Sequence, residues 1–433
     1  MIIHLDLDCF FVSAERIRIP ELKNQPVVVC KSGDTKIFSI EDTQSMMTDS
    51  VGGFNGLMQA KKVFRGFDKD AWRKEFVDEK GRAHGIVIAK SYEAKKHGIQ
   101  TGTHLRDALY MCPNLLVVSS DHLYYQRLSL KLAAFLRLHI PVLEQYSIDE
   151  FWGDLKGWVK EEETYAYMAM LQKEVLARFD LPISIGASAS KWIAKLATDF
   201  NKPYGLTLVN KEDVLTFVSP MPIETFPGIG KMLQKRFKSY AIETLGEVLQ
   251  SHQLVSGWGT MGKDLIARIR GTDNEPIVHE RDRKSIGISR NFHTLKDRDE
   301  VLRRALILSR HLSHTIATLK VQPTSYFFKI RYENGLKSNV THTIDRPFSE
   351  SMYRELTLKS IQELDIHPQY GIHHLSLHVS NFVTPSQTKT FSLLHVEEDE
   401  KSKRLGEKIT HLRDKYGIDI VRCGSEKQKN AFN

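Results

Sequence analysis

The chain has 433 residues, of which 41% are hydrophobic and 26% charged, a composition typical of a globular protein with roughly two to four domains. No apolar run approaches the roughly 20 residues of a membrane span, and the four cysteines form no CxxC or CxxH pair, which argues against a membrane protein and against a zinc site. The N-terminus has no signal-peptide pattern, so we expect reduced thiols and a cytoplasmic location.

The net charge of +8 is concentrated in the second half of the chain. Residues 1–205 hold 27 Lys and Arg against 26 Asp and Glu, whereas residues 281–346 alone hold 14 against 6. Such a basic stretch favours a polyanion as partner. On charge alone, a merely solvated basic surface is the alternative.

The first residues form a strand-like run in which acids alternate with apolar residues. Asp6 and Asp8 are therefore predicted to project from one face of a strand, with Leu5 and Leu7 on the other. A strand that is buried on one face normally carries apolar residues there. The acids of this run are therefore candidates for a functional site.

Between residues 85 and 205, strand-like runs alternate with helical runs, which favours an α+β domain with helices packed on a sheet. The predicted strands are 85–90, 115–119, 151–154 and 183–187, and the predicted helices are 123–138, 161–179 and 191–200. Tyr92 and Lys95 lie three residues apart at the start of a further helical segment, so they share one face of it.

Two adjacent carboxylates, Asp149 and Glu150, lie between apolar runs. An isolated pair of this kind is compatible with a solvated turn, but ionised carboxylates in an apolar setting need a counter-charge, commonly a divalent cation. If their strand adjoins the N-terminal strand, Asp6 joins them in a cluster of hard oxygen ligands suited to Mg²⁺. Two-metal phosphoryl transfer requires such a cluster.

Residues 210–271 have a helical pattern that is interrupted by Phe226-Pro-Gly-Ile-Gly-Lys231. The proline and the glycines predict a tight turn, in which the backbone amides of Gly228 and Gly230 can approach a phosphate beside Lys231. A glycine-rich turn between core helices, without a ligand, is the alternative.

Residues 273–284 have mixed charge and no sustained apolar period, so we predict a linker there. Residues 285–385 then show the order βαββαβ, a small sheet backed by two helices. On this sheet Lys329 and Arg331 are placed to meet phosphates, and such contacts would make binding depend on salt. A tail of residues 386–433 follows.

Several motifs follow one another along nearly the whole chain. They are Asp6-Leu-Asp-Cys-Phe-Phe11, Ser91-Tyr-Glu-Ala-Lys-Lys-His-Gly98, Ser147-Ile-Asp-Glu150, Ser184-Ile-Gly-Ala-Ser-Ala-Ser-Lys191, Lys202-Pro-Tyr-Gly205, Pro227-Gly-Ile-Gly230 and Lys284-Ser-Ile-Gly287. In this order they closely resemble the motifs of the Y-family, or translesion, DNA polymerases, most of all the bacterial DNA polymerase IV type.

The resemblance implies an α+β multidomain fold, a right-hand polymerase with palm, fingers and thumb and an additional C-terminal βαββαβ little-finger domain. The implied palm is 1–18 and 120–205, the fingers are 19–119, the thumb with a helix-hairpin-helix is 206–272, and the little finger is 285–385. The family has a short loop where residues 33–85 stand here. We therefore expect an unusual insertion in the fingers, to which the sequence assigns no function.

The resemblance also implies low-fidelity, template-directed DNA synthesis without proofreading. The implied catalytic residues are Asp6, Asp149 and Glu150, and these acids, together with the carbonyl of Leu7, are expected to hold two Mg²⁺ ions. A DNA-binding scaffold without activity and a nuclease are the rival functions. Retention of all three acids argues against the scaffold, and the aromatic Phe11 argues against the nuclease.

Five residues are implied to bind the incoming nucleotide: Phe10, Phe11, Tyr92, Lys95 and Lys202. Phe11 would act as a steric gate that excludes a 2′-hydroxyl, although an aromatic residue that is simply part of the core is the alternative. Three positions depart from the family, which usually has Arg where Lys95 stands, Thr where Ala89 stands and Asn where Ser190 stands. Lysine lacks the bidentate fork of arginine, so we expect looser triphosphate geometry.

The implied partners are primer-template DNA and deoxynucleoside triphosphates, and the implied state is a monomer. The residues expected to contact DNA are Gly228, Gly230, Lys231, Lys329 and Arg331. Relatives often carry a peptide that binds the sliding clamp where Phe391 to Leu394 stand here. In this chain the leading Gln of that peptide is absent, so an ordinary edge strand is the alternative.

Overall fold

The computed structural model describes residues 1–31, 36–38, 45–46, 58–59, 68–78, 80–279, 282–383 and 396–426. The chain forms two compact units. The first contains residues 1–30, 50–54 and 65–281, and the second contains residues 31–49, 55–64 and 282–433. None of the described helices combines the length and the apolar character that a membrane crossing requires.

The described strands, in chain order, are β1 (Ile2–Leu7), β2 (Val27–Lys31), β3 (Ser45–Met46), β4 (Met58–Gln59), β5 (Ile86–Lys90), β6 (Leu116–Ser119), β7 (Val142–Gln145), β8 (Glu150–Asp154), β9 (Ile183–Ser188), β10 (Leu206–Val209), β11 (Ser285–Leu295), β12 (Pro323–Tyr332), β13 (Lys337–Thr343) and β14 (Ile372–Phe382). The described helices are α1 (Phe10–Arg18), α2 (Arg73–Phe76), α3 (Tyr92–Lys96), α4 (Leu105–Met111), α5 (His122–His139), α6 (Thr164–Phe179), α7 (Lys191–Phe200), α8 (Val214–Val218), α9 (Lys231–Lys238), α10 (Leu245–Gln250), α11 (His252–Ser256), α12 (Thr260–Ile269), α13 (Arg298–Thr318), α14 (Glu350–Leu364) and α15 (Val396–Tyr416).

The first unit is built on a five-stranded sheet with the strand order β10-β9-β1-β8-β7. Strand β1 lies at its centre because its apolar residues Ile3, Leu5 and Leu7 are all buried in the core. Strands β8 and β9 run antiparallel to β1, and β10 runs parallel to β9. The predicted α+β organisation is confirmed, and its register sets Asp6 opposite Glu150.

Helices cover this sheet with two separate apolar cores. Helices α5 and α6 share the first core with β1 and β9, as Leu132 and Leu171 show. Helix α7 packs against β1, β9 and β10, but its residues Ile193 and Leu196 belong to the second core, together with residues of the helical segment that follows. Packing on both faces of the sheet therefore fixes the end of β1 that carries Asp6.

A three-stranded sheet of order β5-β2-β6 completes the strand structure of the first unit, with β2 parallel to β6. Its core contains Val28, Val87 and Val117, one from each strand. Phe76 of α2 belongs to the same core. Phe76 falls within the predicted insertion at 33–85, so the C-terminal part of that insertion contributes to the core of the three-stranded sheet.

Helices α8 to α12 pack around a compact core that includes Phe226, Phe237 and Val248. The tight turn predicted here is confirmed. Gly228 has a φ of +96°, a conformation that residues with a Cβ rarely adopt, and α9 begins at Lys231 immediately after the turn.

The predicted linker begins as a segment held against the first unit by polar contacts. The Ser190 hydroxyl donates to Asp273, and the Trp192 indole donates to Glu275 at 2.7 Å. Beneath them, the buried ammonium of Lys191 lies 2.7 Å from Glu144, whose Oε2 also accepts from the amide of Val278 at 2.9 Å. These partners come from distant parts of the sequence, so no local pattern predicts them.

The second unit contains a four-stranded sheet of order β11-β14-β12-β13 with α13 and α14 packed against it. The predicted βαββαβ order is confirmed. Along β12, Tyr326, Phe328 and Ile330 alternate into the core, so Lys329 and Arg331 lie on the opposite face.

Segments outside the βαββαβ order also pack in the second unit. Ile37 and Phe38 are buried in its core, and Arg303 donates to the Phe38 carbonyl at 3.2 Å. From the tail, Asp419 and Glu426 both pair with the buried guanidinium of Arg310 at 2.8 Å. The predicted clamp peptide, residues 391–394, lies outside the described residues.

Candidate active site

Three predicted acids meet at one end of the central sheet of the first unit. Asp6 on β1 is directly opposite Glu150 on β8 in the antiparallel ladder. The amide of Leu7 donates to the Asp149 carbonyl at 3.0 Å, so the residue before β8 is tied to the end of β1. The structure therefore shows the predicted pairing of the two strands, which brings their acids together.

Lysines neutralise two of these acids. Lys202 Nζ lies 2.9 Å from Asp6 and 2.7 Å from Asp199. Lys195 Nζ, on α7, lies 2.5 Å from Glu150. Ammonium groups therefore occupy the positions next to the carboxylates where a metal cation would supply the positive charge.

The electrostatics of the site disfavour an uncompensated cluster of charges. Burial raises the pKa of Asp6 to about 8, although Lys202 opposes this shift, and the neighbouring acids Asp149 and Glu150 raise it further. Burial also raises the pKa of Asp149, although a hydrogen bond from Ser147 opposes it. These acids need a nearby cation if they are all to be ionised.

The donor set fits a hard divalent cation. Carboxylates and a backbone carbonyl are the ligands that Mg²⁺ prefers. Over the described parts of the chain, no three His, Cys, Asp or Glu side chains are grouped closely enough to hold a metal ion. Lys195 and Lys202 pair with Glu150 and Asp6, so these two acids already have positively charged neighbours.

A cavity of about 230 Å³ opens beside the acids. It is lined by Asp6, Leu7, Cys9, Phe10, Phe11, Ile88, Ala89, Lys90, Thr101 and Asp149. The structure thus brings together the predicted residues Asp6, Leu7, Phe10, Phe11 and Asp149 around one cavity. Sequence reasoning did not identify Lys90 or Thr101 as part of it.

Aromatic packing fixes the Phe11 ring. It stacks on Tyr125 at a centroid distance of 4.5 Å and an interplanar angle of 16°. The Tyr125 hydroxyl in turn donates to Glu15 at 2.5 Å, which anchors the ring under Phe11. Phe11 is only partly buried, whereas Phe10 is 3% exposed and belongs to the core. Phe11 therefore presents a fixed ring to the cavity.

Three predicted nucleotide-binding residues, Tyr92, Lys95 and Lys202, are not among the residues that line the cavity. The Tyr92 hydroxyl donates to Asp8 at 3.2 Å. Lys95 is exposed, with Nζ 5.8 Å from the centroid of the Tyr92 ring. Both side chains are on α3, as the spacing predicted, and Lys95 is open to solvent.

Asp8 is a residue whose role the sequence did not reveal. It is 2% exposed and accepts hydrogen bonds from three elements. The donors are the Tyr92 hydroxyl at 3.2 Å, the Ser184 hydroxyl at 3.0 Å and the Tyr204 amide at 2.8 Å. Asp8 thus ties α3, β9 and the turn after Lys202 together beside the acids.

The predicted DNA contacts lie on two surfaces, one in each unit. Gly228, Gly230 and Lys231 form the turn that opens α9, and an added Cβ at either glycine would meet no atom within 4 Å, so the turn is open. In the second unit, Arg331 pairs in register with both Lys337 and His374, and Lys329 pairs with Ser376. Each surface presents groups that can meet phosphates.

Comparison with known proteins gives the same family at both ends of the chain. The model of the impB/mucB/samB family matches residues 5–53 and 57–199, and the model of the impB/mucB/samB family C-terminal domain matches residues 283–393. A DNA polymerase IV of Clostridium kluyveri is 28% identical over 370 residues, which cover 82% of this chain and 92% of the relative. A DNA polymerase IV of Streptococcus pyogenes serotype M1 is 31% identical over 299 residues, which cover 68% and 69%.

Solved structures show the same fold. A Y-family DNA polymerase chimera, Dbh-Dpo4(243-245)-Dbh, superposes with a TM-score of 0.71 at 19% identity, over 88% of this chain and 99% of that one. An insertion ternary complex of Dbh DNA polymerase gives a TM-score of 0.55 at 19% identity over the same shares. The predicted palm, fingers, thumb and little-finger architecture is confirmed at the level of the fold.

Proposed function

The chain belongs to the impB/mucB/samB family of Y-family polymerases and is a translesion DNA polymerase, and we propose that its chemistry takes place at the cavity beside Asp6, Asp149 and Glu150. The observation that carries this proposal is the register of β1 and β8, which sets Asp6 opposite Glu150 with Asp149 adjacent. The same cavity is lined by the fixed ring of Phe11, which suits a site that must hold a sugar.

Two Mg²⁺ ions, when bound, would lower the pKa of the primer 3′-hydroxyl and stabilise the leaving pyrophosphate. The carboxylates of Asp6, Asp149 and Glu150, with the Leu7 carbonyl, are the groups proposed to hold them. Lys202, once released from Asp6, would carry its positive charge to the triphosphate. The primer 3′-oxygen would then bond to the α-phosphate as its proton passes to solvent, and the bond from the α-phosphate to the leaving pyrophosphate would break.

Phe11 is proposed to select deoxynucleotides. A phenyl ring offers no hydrogen-bonding partner to a 2′-hydroxyl, and its stacking on Tyr125 prevents it from moving aside. Phe10, Tyr92 and Lys95 are proposed to complete the nucleotide site, Phe10 by supporting Phe11 at a ring distance of 5.7 Å. The supporting observation is that Phe10 and Phe11 line the same cavity as Asp6 and Asp149.

DNA binding is proposed to use the turn at Gly228 to Lys231 and, separately, the sheet face that carries Lys329 and Arg331. Both would contact the phosphate backbone without reading sequence, as a polymerase that accepts any template needs.

We further propose that the enzyme is a cytoplasmic monomer associated with the nucleoid, and that residues 391–394 bind the sliding clamp. Joint replacement of Phe391, Leu393 and Leu394 by alanine should then abolish clamp-stimulated synthesis but keep synthesis without the clamp.

The experiment that tests the function is single-nucleotide insertion on a primer-template with an undamaged base or an abasic site at the templating position. We expect Mg²⁺-dependent insertion on both, with templated preference on the undamaged strand, and no shortening of a mismatched primer end. Shortening of the primer without added nucleotides would support a nuclease instead. DNA binding without any insertion would support a non-catalytic scaffold.

A further inference from the structure

Lys90 is a basic residue of the active-site cavity to which neither the sequence motifs nor the proposed chemistry assigns a role. It ends β5, and its side chain is partly buried and lines the same cavity as Asp6, Phe11 and Asp149. The position follows Ala89, which also lines the cavity but offers no polar group.

Backbone pairing explains how Lys90 reaches this place. The amide of Gly102 donates to the Val87 carbonyl at 2.7 Å, and the Val87 amide donates to the Thr103 carbonyl at 2.9 Å. These bonds hold residues 101–103 beside β5. The Lys90 ammonium then donates to the Thr101 hydroxyl at 3.3 Å, so both side chains are kept at the cavity wall.

The ion pairs of the site set Lys90 apart from the other lysines around it. Lys202 is paired with Asp6 and Asp199, and Lys195 is paired with Glu150. Among the described residues, no carboxylate lies within ion-pairing distance of Lys90, whose hydrogen-bond partner Thr101 is neutral. Burial lowers the pKa of Lys90, Cys9 opposes this shift, and Lys95 lowers the pKa further.

The cavity is thus lined by the carboxylates of Asp6 and Asp149 and by the ammonium group of Lys90, whose hydrogen-bond partner is the neutral Thr101. A polyanion that carries metal ions fits this pattern, since its metal-bound oxygens suit the acids and its remaining charge suits the lysine. The triphosphate of a nucleotide is such a ligand.

We propose that Lys90 binds the triphosphate of the incoming deoxynucleotide, with Thr101 holding the ammonium in place. This inference rests on the proposed polymerase function and adds a specific residue to the nucleotide site. Lys90 would be a binding residue, and its contribution would be the same for all four bases because each nucleotide carries the same triphosphate.

The test compares Lys90→Gln and Lys90→Arg with wild type in single-nucleotide insertion, using each of the four nucleotides opposite its complement. Lys96→Ala, an exposed lysine on the adjoining helix, is the matched control. We expect Lys90→Gln to raise the KM for every nucleotide by about tenfold, the usual effect of one lost charge-assisted hydrogen bond. Lys90→Arg should recover most of the loss, and Lys96→Ala should leave KM unchanged.

Inhibition by a polyphosphate that has no base or sugar provides a second measurement. Tripolyphosphate should inhibit wild type competitively, and Lys90→Gln should weaken this inhibition by the same factor as the KM rises. Unchanged KM and unchanged inhibition in an active Lys90→Gln protein would overturn the role of Lys90 but leave the polymerase function standing. An effect confined to one base would place Lys90 against the base and also overturn the proposal. Absence of insertion by wild type would instead refute the proposed function.

Discussion

Asp6 and Asp8 alternate in the sequence as an equivalent pair, yet the structure gives them different surroundings. Strand β1 ends at Leu7, so Asp8 turns away from the strand pattern and is buried among three hydrogen-bond donors, whereas Asp6 lines the cavity. The alternation predicted that both acids occupy positions where a strand normally carries apolar residues. It does not predict which one meets the ligand, since that depends on contacts with Ser184 and Tyr204, far away in the sequence.

Asp8→Asn should therefore raise the KM for the nucleotide several-fold, because an amide cannot accept from all three donors and Tyr92 and the turn after Lys202 lose a common anchor. We also expect a loss of about 1–3 kcal/mol in the free energy of unfolding, the cost of a buried donor left without its acceptor. Urea unfolding and insertion kinetics measure the two effects. Asp180→Asn, which affects an exposed pair with Lys23, should change neither; equal loss in both variants would contradict the role of Asp8.

Phe11→Val should admit ribonucleotides, because removal of the ring opens the space that it occupies at the cavity wall. We expect the preference for deoxynucleotides over ribonucleotides to fall by roughly tenfold or more, because the Phe11 ring is the group proposed to exclude the 2′-hydroxyl. Competition between the two sugars in single-nucleotide insertion measures this ratio. Tyr110→Val is the control, because it removes an exposed aromatic ring that does not line the cavity, and it should leave the ratio unchanged. An unaltered ratio in Phe11→Val would remove Phe11 from this role.

At the scale of whole elements, periodicity predicted those strands and helices whose apolar residues face a core. The helix predicted at 191–200 agrees with α7, and the βαββαβ order agrees with β11 to β14. Periodicity did not predict how residues 273–278 are anchored, because their partners Ser190, Lys191 and Glu144 lie up to 134 positions away. Polar contacts of this kind leave no repeat in the sequence. The packing of Ile37 and Phe38 in the second unit had no sequence signal either, because two neighbouring apolar residues form no periodic pattern.

The buried pair of Lys191 and Glu144 should be strongly coupled to stability. The Lys191 side chain is 1% exposed, so Glu144→Gln leaves a buried ammonium without its counter-charge and takes a charged acceptor from the Val278 amide. We expect a loss of about 3–5 kcal/mol in the free energy of unfolding. The exposed pair of Lys23 and Asp180 provides the contrast, since Lys23→Ala should cost about 1 kcal/mol or less. Urea unfolding measures both, and similar costs for the two variants would contradict the account of the anchor.

For the whole molecule, the excess positive charge of the second half implies that DNA affinity depends on salt. Lys329→Ala and Arg331→Ala should each weaken DNA binding and reduce the slope of log affinity against log salt by about 1, as expected for loss of one phosphate contact. Lys408→Ala, on an exposed position of α15, is the matched control. Binding titrations between about 50 and 200 mM salt measure the slope. An unchanged slope in both sheet variants would show that this face does not meet phosphates.

The architecture of the whole molecule could be predicted because the motifs of the family follow one another in a fixed order, and the three acids belong to those motifs. The lysines that pair with these acids could not be predicted. Nothing in the local sequence indicates that Lys195 pairs with Glu150 or that Lys202 pairs with Asp6, because these pairs depend on how α7 and the following turn pack beside β1 and β8. The same limit applies to Lys90, whose place in the cavity depends on backbone pairing with residues 101–103.

Primer extension by wild type and by Asp149→Ala, measured side by side with Mg²⁺ and each single nucleotide on an undamaged template, decides whether the acids at the end of β1 and β8 perform the synthesis. We expect wild type to add the complementary nucleotide, and Asp149→Ala to show no extension while binding the same primer-template with unchanged affinity. Extension by Asp149→Ala at the wild-type rate would contradict the assignment of these acids as the metal site.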